Sequence, residues 1–397
     1  MEQALITGLG VISCLGRGAD TLWEALHAGP HGPRRVADPG ANVDIPLVYL
    51  VPDADLPTEP TTWADAPVGP ASRLAVAAAR EALDDAGIVD AVRRGDVRPE
   101  RVAVLLGTTM GDHQVLERER SGEWAPAAGW HTEYLVASVV ADLLGGHGPV
   151  STNSNACAAS GYAIGLAVDM IRAGEADVVL VGGAEAYSRL AVANFNRMGA
   201  TDPERCRPFD QGRRGTVSGE AAAMLVVEAA SIARRRGASV YAEIAATGWS
   251  CDAHHPTAPE PGGAQIDAAM RRALRDGAAS PAEIACVVPH GTGTELNDVV
   301  ESEALRTLFE GRKVPLYSLK AQVGHTAGAA AGLAVATAAL ILFTRTVPPN
   351  VPLDAQDERC PVWLPLDAQP LKGRAVLANA YAFGGNNVSV LLRGVPA

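Results

Sequence analysis

None of the six cysteines (Cys14, Cys157, Cys206, Cys251, Cys286 and Cys360) forms a CxxC pair, and their spacing suits no disulfide framework. A reduced, cytoplasmic protein is the reading that fits. Basic residues are in deficit, 33 against 45 acidic, for a net charge of −12. That argues against nucleic-acid binding and leaves no basic tail for a membrane surface. The longest apolar run, from Gly332 to Phe343, is too short to span a bilayer and reads as a core helix. The opening MEQALITGLGVIS enters a strand-like run with no charged leader and no cleavage site. No metal set is apparent: most histidines are scattered or lie in His254-His255, without ligand spacing. GTTMGD (107–112) lacks the Lys-Ser/Thr ending of a phosphate loop.

What is present is an α/β chain. Its 397 residues are 48% apolar, enough for one large core or two domain-sized halves. Ala4–Ile12 reads as a strand broken at Gly8 and Gly10, followed by a helix at Ala19–Ala28 and an irregular, Pro/Asp/Thr-rich stretch over 29–69. Ala71–Ala86 is an amphipathic helix stopped by Gly87. Arg101–Leu106 is a buried strand, 113–130 a charged loop or lid with two tryptophans, and His131–Leu144 a helix. A strand at Asp177–Val181 follows the Cys157 helix; a Gly-punctuated loop (203–220), a strand at Ala221–Glu228 and a helix at Ala230–Arg236 come next. The pattern then restarts: strand Tyr241–Thr247, loop 249–263, helix Ala264–Gly277, strand Ala285–Pro289, helix Val299–Phe309, strand Val314–Ser318, and late strands Val376–Ala380 and Val388–Leu392 around YAFGGNN (381–387).

The two stretches form a faint repeat, which sets the halves at 1–236 and 237–397. VLLGTT (104–109) parallels VPHGTG (288–293), and Gly165-Leu166-Ala167-Val168 parallels Gly332-Leu333-Ala334-Val335. The second match sets Cys157 opposite Gly324, beside His325. Alternating strands and helices predict a parallel-rich sheet in each half. A duplication would bring Cys157 and His325 towards one centre.

Cys157 follows a polar lead-in and opens a helix whose first turn, Ala158-Ala159-Ser160-Gly161, carries little bulk. There the helix dipole and unpaired N–H groups favour thiolate, whereas a lone buried cysteine is inert. His290 follows a buried strand and opens a Gly-Thr-Gly-Thr turn; His325 sits between Gly324 and a helix of alanines. Singly, each histidine reads as structural or catalytic alike. Together with Cys157 they have the loop-end placement of an assembled active site. Lys320, in a small-residue setting, is a surface cation or part of that site.

NACAAS (155–160), GGAE (182–185), RPFD…GE (207–220), HGTGT…ND (290–298), K…GH…GAA (320–330) and AFGGNN (382–387) together resemble the β-ketoacyl synthases of the thiolase superfamily, the free-standing condensing enzymes of fatty-acid and polyketide systems. The resemblance spans essentially the whole chain and implies a thiolase-like fold of duplicated α-β-α-β-α layered halves. It implies that Cys157 accepts an acyl group from a carrier-protein thioester, with the N–H groups of Cys157 and Phe383 as oxyanion hole and Gly384-Gly385 letting that loop approach. His290 and His325 would stabilise the enolate left when malonyl-carrier protein loses CO2, and Lys320 would set their electrostatics through Glu301. Thr292 and Thr294 would hold the phosphopantetheine arm, Phe383 would gate the acyl pocket, and Met110 and Phe195 would wall it. No cofactor is implied beyond the carrier's phosphopantetheine, and the partners are acyl carrier protein and a second, like or unlike, ketosynthase subunit.

Three departures from the family pattern point to a specialised pathway: Arg213-Arg214-Gly215-Thr216-Val217 in place of Arg-Asp-Gly-Phe-Val, Asn386 where Thr is usual, and Asn297-Asp298 in place of Gly-Asp. Rival readings are a chain-length-determining partner subunit, which usually lacks the cysteine; a non-decarboxylating acyltransferase on the same fold, which a lost histidine would indicate; and a thiolase, which would need a second cysteine motif. Carrier docking on so acidic a chain requires a local basic patch. The resemblance places the entrance near the helix at Ala71 and the loop 195–214, where Arg73, Arg197, Arg205, Arg207, Arg213 and Arg214 are available, either free or paired with Asp202, Glu204 and Asp210.

Overall fold

The computed structural model describes residues 2–123 and 135–395. In the amino-terminal half the long strands are β1 (Ala4–Ser13), β2 (Val102–Gly107), β3 (Val150–Asn153), β4 (Val178–Glu185) and β5 (Ala221–Ala229). In the carboxy-terminal half they are β6 (Ala242–Cys251), β7 (Ile284–Val288), β8 (Ala375–Tyr381) and β9 (Asn386–Arg393). They form one ladder in the order β7-β8-β9-β6-β1-β5-β4-β2-β3. Only Ala4–Ile6 against Ala242–Ile244 joins the halves within it. The pairing senses repeat: β1/β5 and β5/β4 antiparallel with β4/β2 parallel, then β6/β9 and β9/β8 antiparallel with β8/β7 parallel. The sheet is therefore mixed, not parallel-rich, because β8 returns into β9 through the tight Phe383–Gly385 turn, which permits only an antiparallel neighbour.

The helices used below are α1 (Ala19–Ala28), α2 (Pro70–Ala86), α3 (His113–Arg120), α4 (Val136–Ala141), α5 (Ala159–Arg172), α6 (Arg189–Arg197), α7 (Ala264–Asp276), α8 (Glu295–Leu308) and α9 (Ala330–Thr344). α2 covers β1, β5 and β4 with α4 beside it; α5 and α9 pack together between the halves; α7 lies over β6 and β9 with α8 outside it. This is the α-β-α-β-α layering of a thiolase-like fold. The helical stretch Ala327–Thr344 is long and apolar enough by composition to cross a bilayer, yet it is enclosed as the central core helix.

Glycine explains the closest packing. Gly8 and Gly10 do not break β1, which runs on with a bulge between Ile6 and Gly8. They admit α2: a Cβ on Gly10 would lie 1.9 Å from the Ala78 carbonyl oxygen. β4 likewise extends past the expected Val181 to Glu185, because Gly183 allows a second crossing. A Cβ there would lie 2.8 Å from the Gly328 carbonyl oxygen, and one on Gly328 2.5 Å from Thr108 Cα. Three backbones meet there, with the small Ser160 side chain beside them.

Other expectations are corrected. Residues 113–120 are helix α3; its run of Glu and Arg favours helix but hides any apolar stripe. The two tryptophans of that stretch, and 131–134 of the expected helix His131–Leu144, lie outside the described residues. α8 begins at Glu295, so Asn297 and Asp298 lie in its first turn. The expected strand Val314–Ser318 is reduced to isolated bridges. Pro315 has no N–H to give, and the Asn350 side chain takes the ladder's place, accepting from Ser318 N–H (2.8 Å) and donating to the Leu316 carbonyl (2.9 Å).

Candidate active site

Two short helical turns place the chemistry. Ala156–Ala158 carries Cys157 into α5, and Ala327–Ala329 leads into α9. Each turn begins with an alanine in the left-handed region, Ala156 at φ 48° and Ala327 at φ 42°. Such a residue costs roughly 1–3 kcal/mol and is held by the structure around it. The structural repeat is thus displaced by about one helical turn from the Gly165/Gly332 match: Gly328, not Gly324, stands opposite Cys157. His325 reaches the same centre from the extended segment before its turn, where its N–H donates to the Val217 carbonyl (2.7 Å).

Cys157 Sγ lies 3.1 Å from His325 Nε2. The His290 and His325 rings meet edge to face with centroids 5.5 Å apart. The hydrogen-bond network assigns both tautomers. Ala327 N–H donates to His325 Nδ1 (3.2 Å), and Lys320 Nζ stands 3.3 Å from His290 Nδ1 while also donating to the His290 carbonyl. Each neutral ring therefore accepts at Nδ1 and carries its hydrogen on Nε2. Both imidazoles are held well below the ordinary value by burial first and then by the Lys320 charge. They are neutral N–H donors, and His325 donates towards sulfur.

Burial also governs the thiol. It pushes Cys157 up to about 11, against the Lys320 charge and the N–H groups of Phe383 and of Cys157 itself, which both face the sulfur. The expected preference for thiolate at a helix start is overridden by desolvation in the resting site. Lys320 is enclosed and lowered by burial, opposed chiefly by the charge of Glu301. Among the described residues no ion pair joins Lys320 to Glu301. The Glu301 carboxylate instead accepts from His290 N–H (2.8 Å) and Gly291 N–H (2.7 Å), so it shapes the His290 turn directly.

Asp298, to which sequence reasoning gave no role, is the second anchor of that turn. It accepts from Phe209 N–H (2.8 Å), Thr292 N–H (3.1 Å) and Gly293 N–H (3.2 Å). An acid in the first turn of a helix, a few residues after a Gly-Thr-Gly run, was the available signal. Arg213 lies beside it, buried, 3.5 Å from Asp298 and 2.7 Å from Asp357.

The sulfur stands where two cavities meet. One is a narrow tunnel lined by His290, Thr292, Thr294, Asn297, Thr216, Asn387 and the loop 255–259. Thr292 and Thr294 face each other there, Oγ1 to Oγ1 at 2.8 Å. The other is a cavity of about 430 Å³ lined by Met110, Glu185, Tyr187, Val192, Phe195 and Met198, among others. Phe383 and Phe195 border both and stack at 5.6 Å. Gly384 (φ 82°) and Gly385 (φ 78°) carry the Phe383 loop against the strap 252–259, with Gly384 N–H donating to the Pro256 carbonyl (2.8 Å). A Cβ on Gly385 would lie 2.8 Å from that of Asp252.

The candidate docking cations divide. Arg213 and Arg207 are buried in ion pairs, Arg207 with Asp202 at 3.0 Å. Arg205 is tied to Asp354 (3.0 Å). Arg73, on α2, lines a separate pocket with Arg118 and Gln114, and α2 contributes nothing to the tunnel. Arg197 and Arg214 are exposed. Arg214 adjoins the tunnel through Gly215, whose N–H donates to the Gly293 carbonyl (3.1 Å).

A buried thiol with two N–H groups at its back can hold an acyl group, and two neutral imidazole donors can then bear the charge of an enolate. That pairing of tasks, on this duplicated fold, defines a thiolase-like condensing enzyme. The family description "Beta-ketoacyl synthase, N-terminal domain" matches residues 1–233, and the corresponding C-terminal domain matches 241–354. The chain belongs to the β-ketoacyl synthase family, and is an acyltransferase of the condensing kind. It is 35% identical to the actinorhodin polyketide putative β-ketoacyl synthase 1 of Streptomyces coelicolor, covering 99% of this chain and 88% of that one. It is 30% identical to 3-oxoacyl-[acyl-carrier-protein] synthase 2 of Coxiella burnetii, covering 99% of each. Among solved structures, the ishigamide ketosynthase/chain length factor superposes with a TM-score of 0.89 at 33% identity, covering all of both chains.

Proposed function

We propose that this chain is the catalytic ketosynthase subunit of a type II polyketide or specialised fatty-acid system, soluble and cytoplasmic, elongating an acyl group with malonyl-carrier protein. The observation that carries it is Cys157 Sγ at 3.1 Å from a His325 nitrogen that bears hydrogen, with His290 against the same ring. Cys157 gives up its proton as its sulfur attacks the acyl thioester; the N–H groups of Cys157 and Phe383 bear the tetrahedral oxyanion, and the departing carrier sulfur takes up that proton to leave as thiol. The acyl chain occupies the cavity beyond Phe383, walled by Met110 and Phe195. The malonyl thioester enters by the tunnel, its pantetheine arm bonded to Thr292 and Thr294. Loss of CO2 leaves an electron pair delocalised onto the thioester oxygen, which accepts hydrogen bonds from Nε2–H of His290 and His325. The enolate carbon attacks the acyl carbonyl and Sγ departs as thiolate, taking a proton from water to restore the thiol, and the product is a β-ketoacyl thioester two carbons longer. The sequence of steps balances without a cofactor.

Acyl carrier protein is the substrate-bearing partner, and Arg214 and Arg197, the exposed members of the candidate set among the described residues, are the cations for it. A second ketosynthase-like subunit completes the assembly. One solved relative is a ketosynthase, described as bound to a hexaketide, in complex with its acyl-carrier protein; others are ketosynthases with chain length factors. Cys157 makes this chain the active member of any such pair. Intact mass after incubation with acyl-carrier proteins, then malonyl-carrier protein, tests the reading. An acyl adduct on Cys157 that is discharged as an elongated product supports it; no adduct, or an adduct discharged without CO2, refutes it.

A further inference from the structure

One buried carboxylate in the site has no part in the steps above. Glu185 ends β4, is 3% exposed, and lines the acyl cavity. Its oxygens accept from Thr109 N–H (2.7 Å) and Met110 N–H (2.9 Å), in the loop after β2, and from Gly328 N–H (3.0 Å), in the turn before α9. The first two amides carry the cavity wall at Met110. The third is one residue beyond Ala327, whose N–H sets the tautomer of His325. These segments meet at the close crossing of Gly183, Gly328 and Thr108, where the Ser160 and Thr108 hydroxyls serve Gly332 N–H (2.9 Å) and Gly111 N–H (2.9 Å), and Glu185 is the side chain that bonds both the loop after β2 and the turn before α9.

We infer that Glu185 is a positioning residue: by accepting these three N–H groups its carboxylate fixes the acyl-cavity wall and the turn behind His325 in a single arrangement. The inference rests on the ketosynthase reading and extends it to a group that touches neither reacting carbon. Protonation would convert one acceptor oxygen into a donor facing N–H groups, so the arrangement depends on the charged form. Burial pushes Glu185 up to about 7, inside the pH 5.5–9 window of the experiment below. The ionisable groups sharing its cavity are Cys157, His325, Tyr187 and Arg197. Of these Cys157 is pushed up to about 11, His325 lies well below its ordinary value, and Tyr187 is raised by burial. On the neighbouring segment Glu220, also raised by burial, accepts from Tyr187 N–H (2.9 Å). Glu301, behind His290, is itself pushed up to about 7, so an acid limb near neutrality has two candidate owners.

The experiment compares the unmutated protein with E185Q and E301Q. It measures malonyl-carrier decarboxylation and Cys157 acylation separately between pH 5.5 and pH 9. The amide of E185Q can accept at one oxygen only and does not titrate. Decarboxylation kcat should fall about tenfold or more at pH 8 with KM for malonyl-carrier protein little changed. The acid limb should be lost in E185Q and retained in E301Q. An E185Q protein that melts like the unmutated one, keeps its kcat and keeps its acid limb overturns the inference while leaving the ketosynthase reading intact. An unmutated protein that never decarboxylates refutes that reading, and this one with it. If E185Q is insoluble, amide hydrogen exchange on the unmutated protein decides. Protection at Thr109, Met110 and Gly328, corrected for intrinsic rates, should drop about tenfold between pH 8 and pH 6; constant protection overturns the inference.

Discussion

Replacing Lys320 with Met removes one charge and two contacts at nearly constant volume. The His290 carbonyl loses its buried donor, at a cost of about 1–3 kcal/mol, which a chain this size tolerates. More important, nothing then holds His290 Nδ1 as an acceptor, so the ring samples the tautomer that turns a lone pair towards the substrate oxygen. Loss of one such donor typically costs about 10²–10³ in rate, so decarboxylation should fall by about 10². The charge acts separately. Lys320 holds both imidazoles down, so without it they rise towards their ordinary value, still below the Glu185 carboxylate to which the acid limb is assigned, and that limb should stay in place. It also holds the Cys157 thiol down, so acylation should slow by about tenfold for each unit the thiol rises. Single-turnover decarboxylation and acylation across pH 5.5–9 separate the two effects. A K320M enzyme that folds normally and keeps both rates within about threefold at every pH would refute the wiring of His290 through lysine.

Cys157→Ala should abolish the acyl adduct, seen by intact mass, whereas Cys157→Gln should retain malonyl decarboxylation, seen as CO2 release. His290→Ala and His325→Ala should acylate but lose decarboxylation by about 10²–10³ each; equal loss of both half-reactions in both variants would indicate damage to the fold instead. Arg213→Ala should cost about 1–3 kcal/mol in urea unfolding, because it removes buried charged bonds to Asp298 and Asp357 while Asp357 keeps Arg359 (2.8 Å) and Asp298 keeps its backbone N–H donors. Arg214→Glu should raise KM for carrier-bound substrates without changing turnover of small pantetheine thioesters, and added salt should mimic it in the unmutated enzyme; a KM indifferent to both would move docking elsewhere.

Cys157, His290, His325 and the Gly384-Gly385 loop were legible because each is a reactive or permissive residue at an element end, and local pattern marks element ends. Whether Arg213 is free for docking or paired stays open in the sequence, which gives charge but not burial, and its partner Asp357, outside the expected Asp202, Glu204 and Asp210, lies far along the chain. The same limit hid Asp298 and Glu185: a carboxylate that serves backbone N–H groups leaves no pairing pattern in the sequence. The repeat was seen but misaligned, since Gly165 and Gly332 match by composition while the left-handed alanines that align the turns look like any other alanine. β1 and β4 were cut short for a related reason. Glycine usually weakens a strand, and only the backbones packed on Gly10 and Gly183 show why these strands keep it.

That crossing of Gly183, Gly328 and Thr108 also limits how this enzyme can be retuned. The crossing adjoins the Thr109 and Ala327 lining of the acyl cavity, and there main chain already in contact has no volume to give up. Variation in accepted chain length is therefore drawn from side chains that line the space, Met110 after β2 with Ala191, Val192 and Phe195 on α6 and Met198 just after it. A library confined to those five positions would explore most of the substrate range open to this scaffold, while one that touched the glycines would mainly sample unfolded protein.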